Sequence, residues 1–210
     1  MYLSRVEIDD NNRQKIKDLT HLGAYHNWVE NSFPKEIQQN ERLRHLWRID
    51  RLAGKRYLLI VSQDKPDINQ LEKYGVEGTG MTKDYQPFLN EVDNGMVMRF
   101  RLVGNPTYRT DGKVYPHITV EQQKNWLLKK CKLSGFKISK YTNGDYQFDV
   151  VSRDWPTLYH HRRIRLSRVA FEGSLTVVDK LALQEALVNG IGREKAYGMG
   201  MLTVIPIKHE

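Results

Sequence analysis

Four glycines spaced G-x-G-x5-G-x-G, at Gly190, Gly192, Gly198 and Gly200, enclose Arg193, Lys195 and Tyr197 in the stretch NGIGREKAYGMGML (189–202). Glycine lets a backbone approach a ligand closely, and successive N–H groups form concavities that suit anions. The two familiar nucleotide cradles are absent. No G-x-x-x-x-G-K-[ST] occurs, and a dinucleotide loop needs its glycines after a strand and before a helix. Here they follow KLALQEALVNG, which reads as a helix, and precede the strand GMLTVIP. A helix C-cap at Gly190 with a turn behind it explains one or two glycines. The others suit contact with a polyanion, and on local grounds the two readings stand side by side.

A second basic element lies upstream. SRDWPTLYHHRRIRLSR (152–168) carries five arginines (Arg153, Arg162, Arg163, Arg165 and Arg168), two histidines and one acid. On a β-hairpin such arginines form a ribbon whose guanidinium forks grip phosphates and guanine edges, with Trp155 and Tyr159 available to stack on bases. The neighbouring stretch 122–144 holds six lysines and no acid, the pattern of a solvated helix face. Of the seven histidines, His26 falls on the apolar stripe Ile16, Leu19, Leu22, His26, Val29, Phe33 of a helix expected from a cap at Asp9, Asp10 or Asn11 to about Phe33. Such a histidine is either a satisfied buried group or a proton carrier. No H-E-x-x-H or G-x-S-x-G motif occurs.

The elements that must carry these residues are legible in outline. YLSRVEI, RLRHLWRID and KRYLLIVSQ read as strands, with a short helix near 66–74 and a weak strand near 76–82. In RLRHLWRID, alternation puts Leu43, Trp47 and Ile49 on one face and Arg44 and Arg48 on the other. The order β-α-β-β-α-β then recurs: strand 96–104, helix 119–134, strands at 136–141, 145–151 and 163–178, helix 180–190 and the last strand. The fold class expected is α+β, two tandem ferredoxin-like (RRM-like) βαββαβ domains, residues 1–90 and 91–210, with a basic β-hairpin in the second. Neither half supplies the aromatic strand motif that stacks bases in RRM proteins.

Composition narrows the partners. The chain of 210 residues has net charge +8 and pI near 9.5, which favours polyanions, nucleic acid ahead of a membrane surface. One cysteine, Cys131, excludes an internal disulfide framework and a cysteine-based zinc cluster, and suits a reducing cytoplasm. No signal peptide or long apolar run is evident.

Taken in order, MYLSRV, HNWVENSFP, HLWRID, MRFRLVGNPTYR, EQQKNWLLKKCKLSGF, VAFEGSLTVVD and GIGREKAYGMGML resemble the CasE endoribonucleases of type I-E CRISPR systems from residue 1 to about 206. The resemblance implies metal-independent, RNase A-like cleavage of the CRISPR repeat stem-loop in precursor crRNA. RNA's own 2′-OH attacks phosphorus and leaves a 2′,3′-cyclic phosphate and a 5′-OH. It further implies retention of the product with the other subunits of a surveillance complex, a monomer on RNA, no cofactor, no metal and no membrane partner. The family's catalytic histidine lies seven residues before the F of its FP, which is His26 ahead of Phe33–Pro34. Where members often carry a tyrosine this chain has Gly23, with Tyr25 next to His26 as the helper. Where some carry a lysine it has Asn31. Lys195 or Arg193 would clamp the phosphate. The alternative is a non-catalytic structured-RNA-binding module of a ribonucleoprotein.

Phosphate contacts make binding fall steeply with salt. Truncating Arg162, Arg163 and Arg165 to alanine is expected to flatten the slope of log K against log salt in a filter-binding series. An unchanged slope removes the hairpin from the interface.

Overall fold

The computed structural model describes residues 1–160 and 162–207; His161 and residues 208–210, with His209, lie outside that range. The first half runs β1 (Tyr2–Glu7), α1 (Arg13–Ile16), α2 (Leu22–Asn31), α3 (Pro34–Gln38), β2 (Leu46–Leu52), β3 (Lys55–Ser62), α4 (Ile68–Leu71), β4 (Met81–Asp84) and α5 (Gln86–Glu91). The second runs β5 (Val97–Gly104), β6 (Thr107–Thr110), β7 (Lys113–Pro116), α6 (Val120–Leu133), β8 (Phe136–Ile138), β9 (Phe148–Asp154), β10 (Thr157–His160), β11 (Arg162–Arg165), β12 (Arg168–Val177), α7 (Lys180–Asn189) and β13 (Leu202–Pro206).

The two principal sheets are ordered β2-β3-β1-β4 and β13-β5-β12-β8, with β9 also on β12. Numbered within each half, both are the same antiparallel order, in which the first strand lies between the third and the fourth. This is the ferredoxin-like arrangement twice over, with α2 and α4 as the crossovers of one half and α6 and α7 of the other. β10 and β11 form a separate hairpin, pairing Thr157 with Arg165 through His160 with Arg162.

Local chemistry sets the helix ends. Thr119 and Gln122 make a reciprocal capping box on α6, and the Asp179 side chain accepts from the Leu181 and Ala182 amides at the start of α7. α7 stops at Gly190, whose φ of 73° only glycine adopts easily.

The expected first helix is corrected: it is two helices broken over residues 17–21, capped by Asn12 rather than by Asp9, Asp10 or Asn11. Asp18, Thr20 and His21 are weak helix formers, and the break leaves His21 as the N-cap of α2. The strand expected at 76–82 begins only at Met81, because Gly78 sits at φ 76° and turns the chain first. The strand expected at 163–178 is interrupted at 166–167, where the hairpin peels away from β12.

The cores of the two halves interlock. Leu46 and Val61 belong to the cluster built mainly from the second sheet, while Val103, Leu158, Ala170 and Met199 pack with Val6, Trp28 and Trp47 of the first. Arg48, on the strand face opposite Trp47, is buried at 2 % exposure. Its guanidinium pairs with Asp50 and donates to the carbonyls of Arg101 and Met201, both at 3.0 Å, and to Thr203 Oγ1 at 2.9 Å, so it staples the two sheets. Beside it the Trp47 indole N–H donates to the Ala196 carbonyl at 3.0 Å.

That contact explains the glycine loop. A Cβ on Gly198 would stand 2.6 Å from the Trp47 ring, and one on Gly192 3.0 Å from Trp126. On Gly190 it would meet Leu46 at 2.8 Å, and on Gly200 the Ile191 carbonyl at 2.8 Å. The Gly190 amide donates to Ala186 and the Gly200 amide to Val103. The Gly190 and Gly200 amides, expected to face an anion, are engaged inside the protein, and all four glycines admit neighbouring side chains or backbone.

Gly198→Ala combines a left-handed backbone with a clash and is expected to cost about 2–5 kcal/mol in urea unfolding. Gly54→Ala, equally left-handed but with open space around it, is expected to cost about 1–2 kcal/mol. Equal losses would show that contact with Trp47 does not constrain the loop.

Candidate active site

α2 is the junction on which three parts of the chain meet. Its outer face receives β10 of the basic hairpin, and its flank receives the single 3-10 turn Lys195–Tyr197 of the glycine loop. Leu158, 5 % exposed, anchors the hairpin in the first-half core. His21, at the helix start, meets Tyr159 edge-on with ring centroids 5.0 Å apart. His26, just over one turn later, meets Tyr197 edge-on at 5.7 Å.

The His26 side chain is 30 % exposed, yet its Nδ1 is buried without a hydrogen-bond partner among the described residues. The exposed part of the ring is thus its remaining edge, the one bearing Nε2. Nδ1 points at Glu30 Oε1, 3.8 Å away and one turn along the helix. The same oxygen receives His45 Nδ1 at 2.9 Å, and His45 Nε2 lies 3.2 Å from Glu36 Oε2. His45 is 6 % exposed, stacked on Phe33 with centroids 3.9 Å apart, and Glu36 is 3 % exposed. A chain of alternating imidazoles and carboxylates thus runs inward from His26.

Its electrostatics follow from those contacts. Burial pushes His45 down, but the hydrogen bond and charge of Glu30, with Glu36 behind, outweigh it and hold the imidazolium above its ordinary value. Burial pushes Glu30 up, and is likewise outweighed by His45, with His26 and Arg42 adding to the lowering. Among the described residues no group of three or more His, Cys, Asp or Glu is arranged to hold a metal ion.

The sequence-derived site is brought together in part. Tyr25 is adjacent to His26 in sequence but about 100° around the helix. It is 8 % exposed, stacked on Trp47, and its hydroxyl accepts from Arg56 Nη1 at 3.2 Å. Tyr25, expected as the helper at His26, lies on the cleft between the sheets, about 770 Å³, which Arg51, Arg56, Arg101 and Arg168 also line. Lys195 lines a different concavity with Arg44, Glu185 and Asn189, and burial together with Arg44 lowers its pKa. Arg193 is exposed on the loop. Arg153 donates to the Ile118 carbonyl at 3.3 Å, Arg165 to that of Trp155 at 3.4 Å, and Arg168 pairs with Asp154. Trp155 and Tyr159 are 40 % and 56 % exposed, open to stacking. Arg162 and Arg163 occupy β11, and their side chains lie outside the described part.

Residues 1–206 match the family described as CRISPR associated protein. The chain belongs to this family. Its relatives include the CRISPR-associated endoribonuclease Cse3 of Thermus thermophilus, 26 % identical over 98 % of this chain and 100 % of that protein. The structure of Thermus thermophilus Cse3 bound to an RNA representing a pre-cleavage complex superposes with TM-score 0.82 at 25 % identity, covering 98 % of each chain. A chain of a CRISPR RNA-guided surveillance complex, pre-nicking, is also 25 % identical, over 99 % of this chain and all of that one, with TM-score 0.59. The CasE resemblance read from the sequence thus holds, and so does its tandem ferredoxin-like fold.

Sequence reasoning missed Tyr197, Glu30, His45 and Glu36. Glu30 had a signal, its i+4 spacing from His26; Tyr197 had none beyond its place in the loop.

A raised His45 contributes stability that is complete below its unfolded value of 6.5 and fades as pH climbs through the folded one. Glu30, lowered, contributes above its unfolded value of 4.5 and loses this as pH falls. The network is thus intact between those values. In urea unfolding the stability gap between the protein and its His45→Gln variant is expected to be widest there and to narrow toward alkaline pH. A gap independent of pH would mean that folding does not shift the His45 imidazole from its unfolded value.

Proposed function

We propose that this chain is the endoribonuclease that cuts precursor CRISPR RNA at the repeat stem-loop, with His26 moving the proton and no metal ion required. The observation that carries the reading is His26 itself. It is partly exposed, has its Nδ1 edge buried facing Glu30, and is flanked on one helix by the arginine hairpin and the glycine loop.

RNA supplies the nucleophile. The 2′-OH oxygen bonds to the adjacent phosphorus, the bond from phosphorus to the 5′-oxygen breaks, and a cyclic phosphate and a 5′-OH remain. His26 exchanges the proton this displacement requires, the general acid–base role that histidine fills most often. Arg193, and Lys195 in the same loop, would offset charge on the nonbridging oxygens. The hairpin would grip an A-form stem through shape and phosphates, since such a stem has a major groove too deep and narrow for side chains to read. Fixing stem and scissile phosphate together supplies alignment, worth on the order of 7–11 kcal/mol at best. The product stays bound for the other subunits of a surveillance complex.

His26→Ala is expected to slow single-turnover cleavage of the repeat hairpin by about 10²–10⁴-fold while binding in a gel-shift assay is kept. Excess EDTA is expected to leave the native rate unchanged. A rate that collapses in EDTA, or a His26→Ala variant that cuts normally, contradicts this chemistry.

A further inference from the structure

The relay behind His26 has no counterpart among the residues that the family resemblance supplied. Glu30 Oε1 lies between two imidazoles, 2.9 Å from His45 Nδ1 and 3.8 Å from His26 Nδ1. The contact to His45 is a hydrogen bond; the one to His26 is too long for one. Closing it takes about 1 Å, the kind of tightening that catalytic contacts undergo when substrate arrives. Of the three groups behind His26, only Glu30 is free to make that adjustment. Its side chain is 36 % exposed, whereas His45 and Glu36 are 2 % and 4 % exposed, and the His45 ring is fixed against Phe33.

We infer that Glu30, held in place by His45 and Glu36, is a positioning residue that accepts the Nδ1 proton of His26 and thereby keeps the lone pair on Nε2, the edge open to RNA. This rests on His26 being the proton carrier proposed above. An imidazole whose Nδ1–H is held by a carboxylate has its tautomer and ring orientation set by that bond. The Nδ1 side otherwise leaves a buried polar atom without a partner, a cost that folded proteins rarely carry without function. The other groups facing the pair are Arg42, whose charge acts on Glu30, and Tyr197, whose ring closes the far side of His26. Neither offers a carboxylate to Nδ1. His45, doubly paired, keeps Glu30 ionised and stops it from swinging to solvent. Glu36 in turn holds the second nitrogen of His45, so the ring cannot flip without losing a buried charge partner.

The test uses Glu30→Gln, which keeps an oxygen for His45 at a partly exposed position, so that folding is preserved. Nitrogen-15 NMR of the full-length protein, bound to a stem-loop made uncleavable by a 2′-deoxy substitution, reads the His26 tautomer. Single-turnover cleavage and gel-shift binding of a CRISPR repeat stem-loop read function. In the native protein the neutral His26 ring is expected to carry its proton on Nδ1. In Glu30→Gln that preference is lost, cleavage falls on the order of 10–100-fold, as with outer partners of other functional histidines, and binding is kept. An unchanged tautomer in Glu30→Gln overturns the inference, whether or not the rate falls, because a purely structural carboxylate would not alter it. An altered tautomer with an unchanged rate overturns it as well. Failure of the underlying reading is told apart by His26→Ala: normal cleavage by that variant discards His26 as the proton carrier, while the tautomer comparison still reports whether Glu30 orients the ring.

Discussion

The packing of a glycine-rich turn onto Trp47 is the constraint from which the geometry of this protein follows. Trp47 is 1 % exposed, and its N–H is engaged by the Ala196 carbonyl. Gly198 passes over the ring where any side chain would collide. Because Trp47 belongs to β2 and the turn to the second half, this contact fixes the halves against each other. Arg48, the next residue, reinforces it from the opposite face by donating into the second sheet. A buried arginine left without those carbonyls and Asp50 would be strongly unfavourable, so the staple tolerates little sliding.

Function follows from that fixed approach. The turn that carries Gly198 also carries Tyr197 to His26, and β12, which packs on β5, launches the hairpin whose Leu158 and Tyr159 rest against α2. A histidine from one half is thereby surrounded by basic elements of the other. In the proposed reaction the fold provides a rigid seat for RNA and one proton-carrying group, and RNA provides the nucleophile. For this reason so few side chains suffice for the proposed reaction. The second constraint is inward, where a buried imidazolium between two carboxylates holds the acid that faces His26.

Much of this was legible in the sequence, and the parts that were not share a cause. α6 was read within a residue of its ends because Thr119 and Gln122 announce its start and the apolar spacing is regular. The duplicated strand order was legible because period-two alternation survives in β1, β3, β5 and β12. His26 was singled out through its place on an apolar stripe and the FP that follows. The break at 17–21 was hidden, since the stripe continues across it. The packing role of Gly192 and Gly198 was not legible because their partners, Trp126 and Trp47, lie far away in sequence, and no local pattern announces a close approach to a distant ring. Tyr25 looked like a helper from adjacency alone, but a helix turns consecutive side chains apart. His45 escaped for a related reason: its meaning comes from Glu30 on α2 and Glu36 on α3, and the loop after α3 brings it back against them.

The account stands most directly on where the scissile phosphate sits. A crystal structure with the repeat stem-loop, made uncleavable by a 2′-deoxy substitution at the cut site, measures this. The account predicts the substituted ribose and its phosphate at the exposed edge of the His26 ring, with the stem against β10 and β11. A phosphate lodged instead in the arginine-lined cleft beside Arg51 and Arg56, with His26 remote from the RNA, would contradict it.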